Sequence, residues 1–164
     1  MGSTAASVAG ARTVTGRIVH AHGAPLAEPE GALTHTFPDA ATLAAVDPAT
    51  LPMPRARGRA LVGLAGALDG QRIDLGHGGD RDDVRRLLLE LPGIGPWTAD
   101  YVAMRALGHP DVFLPTDIGI RDALRGLGHD PTRAAALADG WRPWRSYALL
   151  HLWHTLDVLT VKET

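Results

Sequence analysis

Apolar residues recur at helical spacing along most of this sequence. The clearest stripe consists of Val84, Leu87, Leu88 and Leu91, which fall at i, i+3, i+4 and i+7 and therefore share one helix face. Asp80 stands where it can cap this helix, and the acidic residues at 82 and 83 are typical of a helical first turn rather than of a metal site. The pattern predicts an amphipathic helix that begins after Asp80.

Six further helices are predicted from apolar spacing and from capping residues. Their expected ranges are 38–46, 57–68, a segment that begins at Pro96, 117–126, 130–139 and 143–156. Asp130 is the expected cap of its helix, with Pro131 at the first helical position, which proline tolerates best. Alternating runs typical of strands are nearly absent, so the sequence predicts an all-α fold.

A very tight turn joins two of these helices. Pro92-Gly93-Ile94-Gly95 ends the first helix, and Pro96 opens the second. Glycine leaves no Cβ in the way, so a phosphate can approach the backbone amides of Gly93 and Gly95, next to the positive end of the second helix. The alternative is a plain helical corner, in which the glycines only permit the bend and Ile94 plugs the turn into the core.

Composition narrows the class of protein. The chain has 164 residues and a formal net charge of −2. It has no cysteine, and this excludes a disulfide scaffold, an iron–sulfur cluster and a thiolate zinc site. No apolar run is long enough to span a bilayer, and the first four residues lack the pattern of a signal peptide, so we expect a cytoplasmic protein. One compact domain over 1–164 is the expected organisation.

Three strings of the sequence together resemble the helix-hairpin-helix DNA glycosylase superfamily. They are Leu-Pro-Gly-Ile-Gly-Pro-Trp-Thr-Ala-Asp-Tyr at 91–101, Asp-Val-Phe-Leu-Pro-Thr-Asp at 111–117 and Trp-Arg-Pro-Trp-Arg-Ser-Tyr-Ala-Leu-Leu-His-Leu-Trp at 141–153. The third string is similar to the DNA-3-methyladenine glycosylase II branch, and the similarity runs from about Ser7 to Trp153. The resemblance implies a helical catalytic domain with its hairpin at 91–98. It also implies base-excision repair of alkylated purines of the 3-methyladenine type in double-stranded DNA, at the nucleoid.

The resemblance places the essential carboxylate at Asp117. The residue itself agrees, because it stands at the start of a predicted helix, where the helix dipole favours an ionised carboxylate. A fixed anion stabilises the positive charge that develops on deoxyribose when an N-glycosidic bond breaks, and it can orient or deprotonate the attacking water. The alternative role for Asp117 is a plain helix cap.

Members of the superfamily that also nick the strand carry a lysine at the position of Trp97. A Schiff base needs a primary amine, which an indole cannot supply, and the only lysine is Lys162 near the C-terminus. We therefore expect a monofunctional, water-using glycosylase.

Three aromatic residues are the predicted substrate pocket. Trp97 and Tyr101 stand at i and i+4 on one helix face, and the resemblance adds Trp153. An electron-rich pocket suits a flipped purine that alkylation has made cationic. The alternative is that the rings are core residues, which is the expected role of Trp141 and Trp144.

The resemblance also implies contacts at the hairpin. Gly93, Gly95 and Thr98 match the positions that bind a DNA phosphate. No cofactor is required, but a monovalent cation, Na⁺ or K⁺, is implied at the backbone carbonyls of the residues Leu89, Leu91 and Ile94.

Other polar residues have no specific assignment. His151 and His154 are expected to be packing or surface residues because no third metal ligand accompanies them. Six arginines either form a local basic face or lie singly in solvent; they are Arg85, Arg86, Arg105, Arg121, Arg142 and Arg145.

The sequence departs from the family pattern in two places. The usual N-terminal α/β domain and leading helix are not matched, and the residue that family members insert into the DNA stack falls near Ala5, whose methyl group cannot fill the gap left by a flipped base. Ile118 also replaces an aromatic residue. These departures leave a second hypothesis open: a non-catalytic DNA-binding module, or an inactive fragment that needs a missing segment or self-association.

Overall fold

The computed structural model describes residues 8–76 and 78–162, with side chains over 9–76 and 78–156. Its helices are α1 (Val8–His22), α2 (Ala40–Ala44), α3 (Arg55–Asp69), α4 (Arg81–Leu89), α5 (Pro96–Ala106), α6 (Ile118–Gly126), α7 (Ala134–Asp139) and α8 (Arg145–Lys162), with a 3-10 helix at Pro131–Arg133 before α7. The predicted helical fold is confirmed. No helix in the described part of the chain is both long enough and apolar enough to cross a membrane.

The predicted caps account for several helix boundaries. The Asp80 side chain accepts hydrogen bonds from the backbone N–H groups of Asp82 and Asp83, so the acidic cluster begins α4 as expected. Asp130 caps the 3-10 helix in the same way, through the N–H of Thr132. Each cap satisfies backbone donors that a helix start otherwise leaves unpaired.

By backbone contacts the chain divides into two compact units. One comprises Met1–Ile73 together with Leu91–Gly93, and the other comprises Asp74–Glu90 together with Ile94–Thr164. The single domain expected over 1–164 stays a prediction.

The first unit has a small core in which α2 packs on α3. Its buried members are Ile18, Leu43, Leu51 and Ala65. A two-stranded antiparallel hairpin, β1 (Pro25–Glu30) and β2 (Leu33–His35), follows α1. Neither α1 nor this hairpin could be predicted from apolar spacing, because α1 buries one side chain among its described residues and the hairpin buries none.

The second unit carries the larger core. Helix α6 packs on α8, and the segment between α5 and α6 runs through the core with Val112, Phe113 and Leu114 buried. Ile120 and Leu149 are fully buried, one on each helix. This packing brings the start of α6 next to the middle of α8, which is where the predicted site residues lie.

Candidate active site

The carboxylate of Asp117 accepts three hydrogen bonds. Its Oδ1 accepts one from the backbone N–H of Ile120 at 3.0 Å and one from Nε1 of Trp153 at 3.0 Å. Its Oδ2 accepts one from Nε1 of Trp97 at 3.2 Å. Asp117 is therefore the N-cap of α6, as the simpler alternative holds, but two indole donors also fix both of its oxygens. Capping alone does not require those donors.

The predicted aromatic residues surround this carboxylate. Trp97 and Tyr101 stack in parallel, with ring centroids 5.2 Å apart and planes 8° apart. Tyr101 in turn lies 6.0 Å from Trp153 with its ring tilted by 55°. The structure thus brings together the four residues that the resemblance assigns to catalysis and to the pocket, and their roles stay predictions.

The site opens to solvent on one side. Trp97 is 40% exposed and Ile118 is 54% exposed, whereas Tyr101, Asp117 and Trp153 are half-buried. A large apolar side chain that keeps this much exposure beside a held carboxylate leaves a hydrophobic surface free for a planar ligand.

Gly119 lets α6 and α8 approach closely at the site, a role that sequence reasoning missed. A Cβ on Gly119 would lie 3.2 Å from Oδ1 of Asp117, 3.3 Å from Cδ1 of Leu156 and 3.4 Å from Cδ1 of Trp153. These distances are tighter than ordinary van der Waals contact, so a side chain here would push the carboxylate or the indole away. The sequence shows a glycine at this position, but the residues next to it along the chain do not indicate which side chains of α8 it faces.

The two hairpin glycines differ. Gly93 has a φ of +88°, a backbone conformation that favours glycine. A Cβ at this position would also lie 2.9 Å from Cβ of Ala60, so both the backbone and the packing require glycine here. Gly95 has a φ of −97° and a ψ of 175°, which any residue adopts, and a Cβ there would meet no atom of the chain within 4 Å. The plain-corner alternative therefore explains Gly93 and leaves Gly95 unexplained.

Two further hairpin residues, Ile94 and Thr98, are half-buried. An ion pair links the helices on either side of the turn: Nε of Arg85 on α4 lies 2.5 Å from Oδ1 of Asp100 on α5. This pair keeps the two arms of the hairpin together.

Four of the six arginines that the sequence left either as a basic face or as single solvated residues form ion pairs. Arg85 pairs with Asp100, Arg86 with Asp83 and Glu90, and both Arg142 and Arg145 with Asp111. Both partners of Arg86 stand at helical spacing, whereas Asp100 and Asp111 lie on other segments that local spacing does not reveal. Arg105 and Arg121 are exposed, with no carboxylate partner within ion-pair distance among the described residues.

The two tryptophans expected in the core differ from each other. Trp141 is half-buried and packs edge-on against Phe113 with ring centroids 5.7 Å apart. Trp144 is 59% exposed and contacts Tyr147, so its core assignment is wrong. Trp144 directly precedes the first residue of α8 and contacts Tyr147 on the exposed surface of that helix. His151 and His154 are exposed surface residues, and Ala5 lies outside the described residues.

The carbonyls assigned to a monovalent cation have free lone pairs. Among the described residues, no hydrogen bond outside the regular helices reaches the backbone oxygens of Leu89, Leu91 or Ile94. Carbonyl oxygens are the kind of ligand that a hard cation takes, and the cation site itself stays a prediction. Within the same part of the chain, no group of three His, Asp or Glu side chains is placed to hold a metal.

Comparison with known proteins gives a consistent set of relatives. The chain is 46% identical over 153 residues to the "Probable bifunctional transcriptional activator/DNA repair enzyme AlkA" of Mycobacterium tuberculosis strain H37Rv, covering 92% of this chain and 31% of that protein. It is 40% identical over 153 residues to "DNA-3-methyladenine glycosylase 2" of Escherichia coli K12, covering 91% of this chain and 52% of that protein. The chain therefore spans 31% of the length of the first relative and 52% of the length of the second. No protein-family model matches it.

A solved structure shares the fold. It is described as "Structure of MBOgg1 in complex with low affinity DNA ligand", and it superposes with a TM-score of 0.69 at 25% identity, over 85% of this chain and 51% of the other. The fold of this chain is thus similar to that of a protein whose structure was solved with a DNA ligand.

Proposed function

Since this chain belongs to the helix-hairpin-helix DNA glycosylase superfamily, we propose that it is a monofunctional DNA glycosylase that removes alkylated purines of the 3-methyladenine type from double-stranded DNA. The proposal rests above all on one observation. The Asp117 carboxylate is bound by the indole N–H groups of Trp97 and Trp153 at the edge of an aromatic cluster with an exposed side. A plain N-cap would not need that arrangement.

The carboxylate acts on the sugar. As the N-glycosidic bond breaks, the deoxyribose gains positive charge, and an anion fixed nearby stabilises that transition state more than the ground state. Hydrogen bonds from two indoles and one backbone amide hold the Asp117 carboxylate in place, so it needs no reorganisation when the charge appears. The same group orients the attacking water or takes up its proton.

The aromatic side chains act on the base. A flipped purine that carries a methyl group on a ring nitrogen is a planar cation, and aromatic faces attract it by stacking and by cation–π interaction. The exposed indole of Trp97 offers such a face beside Asp117. Alkylated purines are also good leaving groups, so this site does not need a strong general acid.

Water is the nucleophile in this proposal. Trp97 stands where strand-nicking members carry their lysine, and the single lysine of the sequence is Lys162. Without an amine at the site no Schiff base forms with C1′ of the sugar, and the product is an abasic site in an intact strand.

The hairpin holds the DNA backbone. The Gly95 amide lies at the start of α5, where unpaired N–H groups and the helix dipole favour a phosphate. A monovalent cation on the carbonyls of Leu89, Leu91 and Ile94 would add positive charge beside that phosphate. Double-stranded DNA is then the partner, and the nucleoid is the place of action.

The hairpin assignment predicts an unusual result for Gly95→Ala. The added methyl group meets no atom of the chain within 4 Å, so the free energy of unfolding should change by less than about 1 kcal/mol. The methyl group would, however, stand where the phosphate approaches, and DNA binding should weaken by about 10-fold. Titration of labelled duplex DNA, with thermal melting alongside, measures both quantities.

Gly66→Ala is the matched control, because Gly66 also has open space around its Cβ but lies within α3. It should leave DNA affinity unchanged. Equal affinity of the Gly95→Ala variant and the unaltered chain would contradict phosphate binding at this turn.

The proposed reaction is tested by its products. Duplex DNA methylated with dimethyl sulfate is incubated with the chain, and released bases are identified by mass spectrometry. We expect free 3-methyladenine, an abasic strand that breaks only after alkali, and no covalent adduct after borohydride. A borohydride-trapped adduct would contradict the monofunctional mechanism, and DNA binding without any base release would favour the non-catalytic module.

A further inference from the structure

We propose that Arg145 is a positioning residue, which acts through Asp111 to hold the Asp117 carboxylate within hydrogen-bond distance of the Trp153 indole. This role rests on the proposed function. Nε of Arg145 donates to Oδ1 of Asp111 at 2.6 Å, and Nη2 donates to Oδ2 at 3.0 Å. The same Nη2 also donates to the backbone carbonyl of Asp111 at 2.7 Å. One guanidinium thus fixes both the side chain and the main chain of Asp111.

Neighbouring residues strengthen this attachment. Nη1 of Arg142 donates to Oδ2 of Asp111 at 3.0 Å. The Arg145 and Asp111 side chains are 18% and 16% exposed, so water competes little for these bonds. Hydrogen bonding from Arg145 also holds the pKa of the Asp111 carboxyl below its ordinary value, because these bonds favour the charged form.

Ser146 docks the same segment onto the first turn of α8. Its buried side chain accepts a hydrogen bond from the N–H of Val112 at 2.9 Å and donates one to the carbonyl of His109 at 2.6 Å. Its own N–H donates to the carbonyl of Pro110 at 2.9 Å. The loop therefore has no freedom to slide along α8 without breaking several buried bonds.

The contact between Arg145 and Asp111 affects the site because one site residue follows each of them along the chain. Asp117 follows Asp111 by six residues through the buried segment 112–114, and its N–H donates to the carbonyl of Leu114 at 3.1 Å. Trp153 follows Arg145 by eight residues, or about 12 Å along the same helix. The attachment at Arg145 thus sets where the carboxylate meets the indole that donates to it.

Arginine is needed here for its shape. Its planar group makes three bonds to Asp111 at once, which the point charge of a lysine cannot reproduce. A DNA-contacting arginine behaves differently, because lysine retains most of the attraction to a phosphate. The Arg145→Lys variant therefore separates the two roles.

The test compares Arg145→Lys with Arg125→Lys under single-turnover conditions. Arg125 forms an exposed ion pair with Asp122 on α6 and serves as the matched control. We expect Arg145→Lys to lower the rate of base release by about 10- to 100-fold with an unchanged DNA dissociation constant. Arg125→Lys should change neither. An unchanged rate with unchanged DNA binding would overturn the proposal, since a phosphate contact that lysine retains predicts that result.

A second readout does not depend on catalysis. The indole N–H resonance of Trp153 reports its hydrogen bond to Asp117, and thermal melting of the same sample reports general folding. We expect the Trp153 resonance to shift in Arg145→Lys while the chain still melts cooperatively. An unmoved Trp153 resonance would overturn the positioning role. If the unaltered chain released no base, the proposed function would fail while this readout still decided the role of Arg145.

Asp111→Asn is the second variant, in case Arg145→Lys does not fold. It keeps the side-chain shape and one acceptor oxygen but loses the two-oxygen match to the guanidinium. The same pair of changes, a slower reaction and a shifted Trp153 resonance, is expected. A folded Asp111→Asn chain with neither change would overturn the proposal.

Discussion

Asp117→Asn should lower the rate of base release by about 10²- to 10³-fold or more at saturating methylated DNA. The substitution removes the negative charge that stabilises the sugar cation in the transition state. The amide also offers a single acceptor oxygen, whereas both oxygens of the native carboxylate accept indole hydrogen bonds. DNA binding should be retained or slightly tighter, because a negative charge near the phosphates is lost. Single-turnover rates and dissociation constants measured on one duplex separate these effects.

Asp130→Asn is the control that separates catalysis from capping. Asp130 caps the 3-10 helix through the N–H of Thr132, as Asp117 caps α6 through that of Ile120, but Asp130 contacts none of the pocket residues. Asparagine caps helices about as well as aspartate does, so a cap alone predicts that both substitutions are nearly silent. A fully active Asp117→Asn chain would contradict the catalytic assignment.

Trp153→Phe should slow base release by roughly 10- to 100-fold. The phenyl ring keeps most of the aromatic surface but cannot donate to Oδ1 of Asp117, and a hydrogen bond to a charged group contributes about 1.5–3 kcal/mol. Oδ1 then keeps only the hydrogen bond from the backbone N–H of Ile120, so the carboxylate is held less firmly against the sugar. Trp97→Phe should have a smaller effect because its bond, at 3.2 Å, lies in a more exposed position. Single-turnover kinetics on the same methylated duplex provide the measurement.

Trp141→Phe makes the same chemical change away from the site. Trp141 packs edge-on against Phe113 and does not contact Asp117. Its rate of base release should stay within about twofold of the unaltered chain, once any loss of stability is checked by melting. If Trp141→Phe and Trp153→Phe slowed the reaction equally, the indole bond to Asp117 would have no special role.

Much of the fold could be predicted because local and global signals agree in it. Helix α4 has a cap at Asp80, acidic residues in its first turn and an apolar stripe, all of which indicate the same boundaries. Helix α1 has no comparable signals, since alanine, valine, glycine and threonine are mixed along it and few of its side chains are buried. The β1–β2 hairpin is exposed on both faces and therefore lacks the alternating pattern that predicts strands.

The members of the site could be predicted, but not the bonds between them. Helical spacing places Trp97 beside Tyr101, and the family resemblance adds Asp117 and Trp153. The direction of each indole, with its N–H towards the carboxylate, depends on how closely α6 approaches α8 at Gly119. That distance is a property of the packed helices and has no signature in a single sequence.

The ion-pair partners of several arginines could not be predicted from the pattern of charges along the sequence. Arg145 and Asp111 are 34 residues apart, so no rule based on local spacing pairs them. A charged residue in the first turn of a helix is usually a solvated one, and the sequence favours that interpretation or a DNA contact. Only the folded chain brings the guanidinium onto the loop that leads to Asp117.

The most direct measurement is single-turnover base release by the unaltered chain, in excess over duplex DNA that carries 3-methyladenine. Saturation of the DNA is verified in the same samples, so that binding and chemistry are read separately. If a fixed carboxylate among indoles breaks the glycosidic bond, free 3-methyladenine should appear with a single-exponential time course. Its rate constant should be far above that of spontaneous depurination. A folded chain that binds all the DNA and releases base no faster than the protein-free control would contradict it.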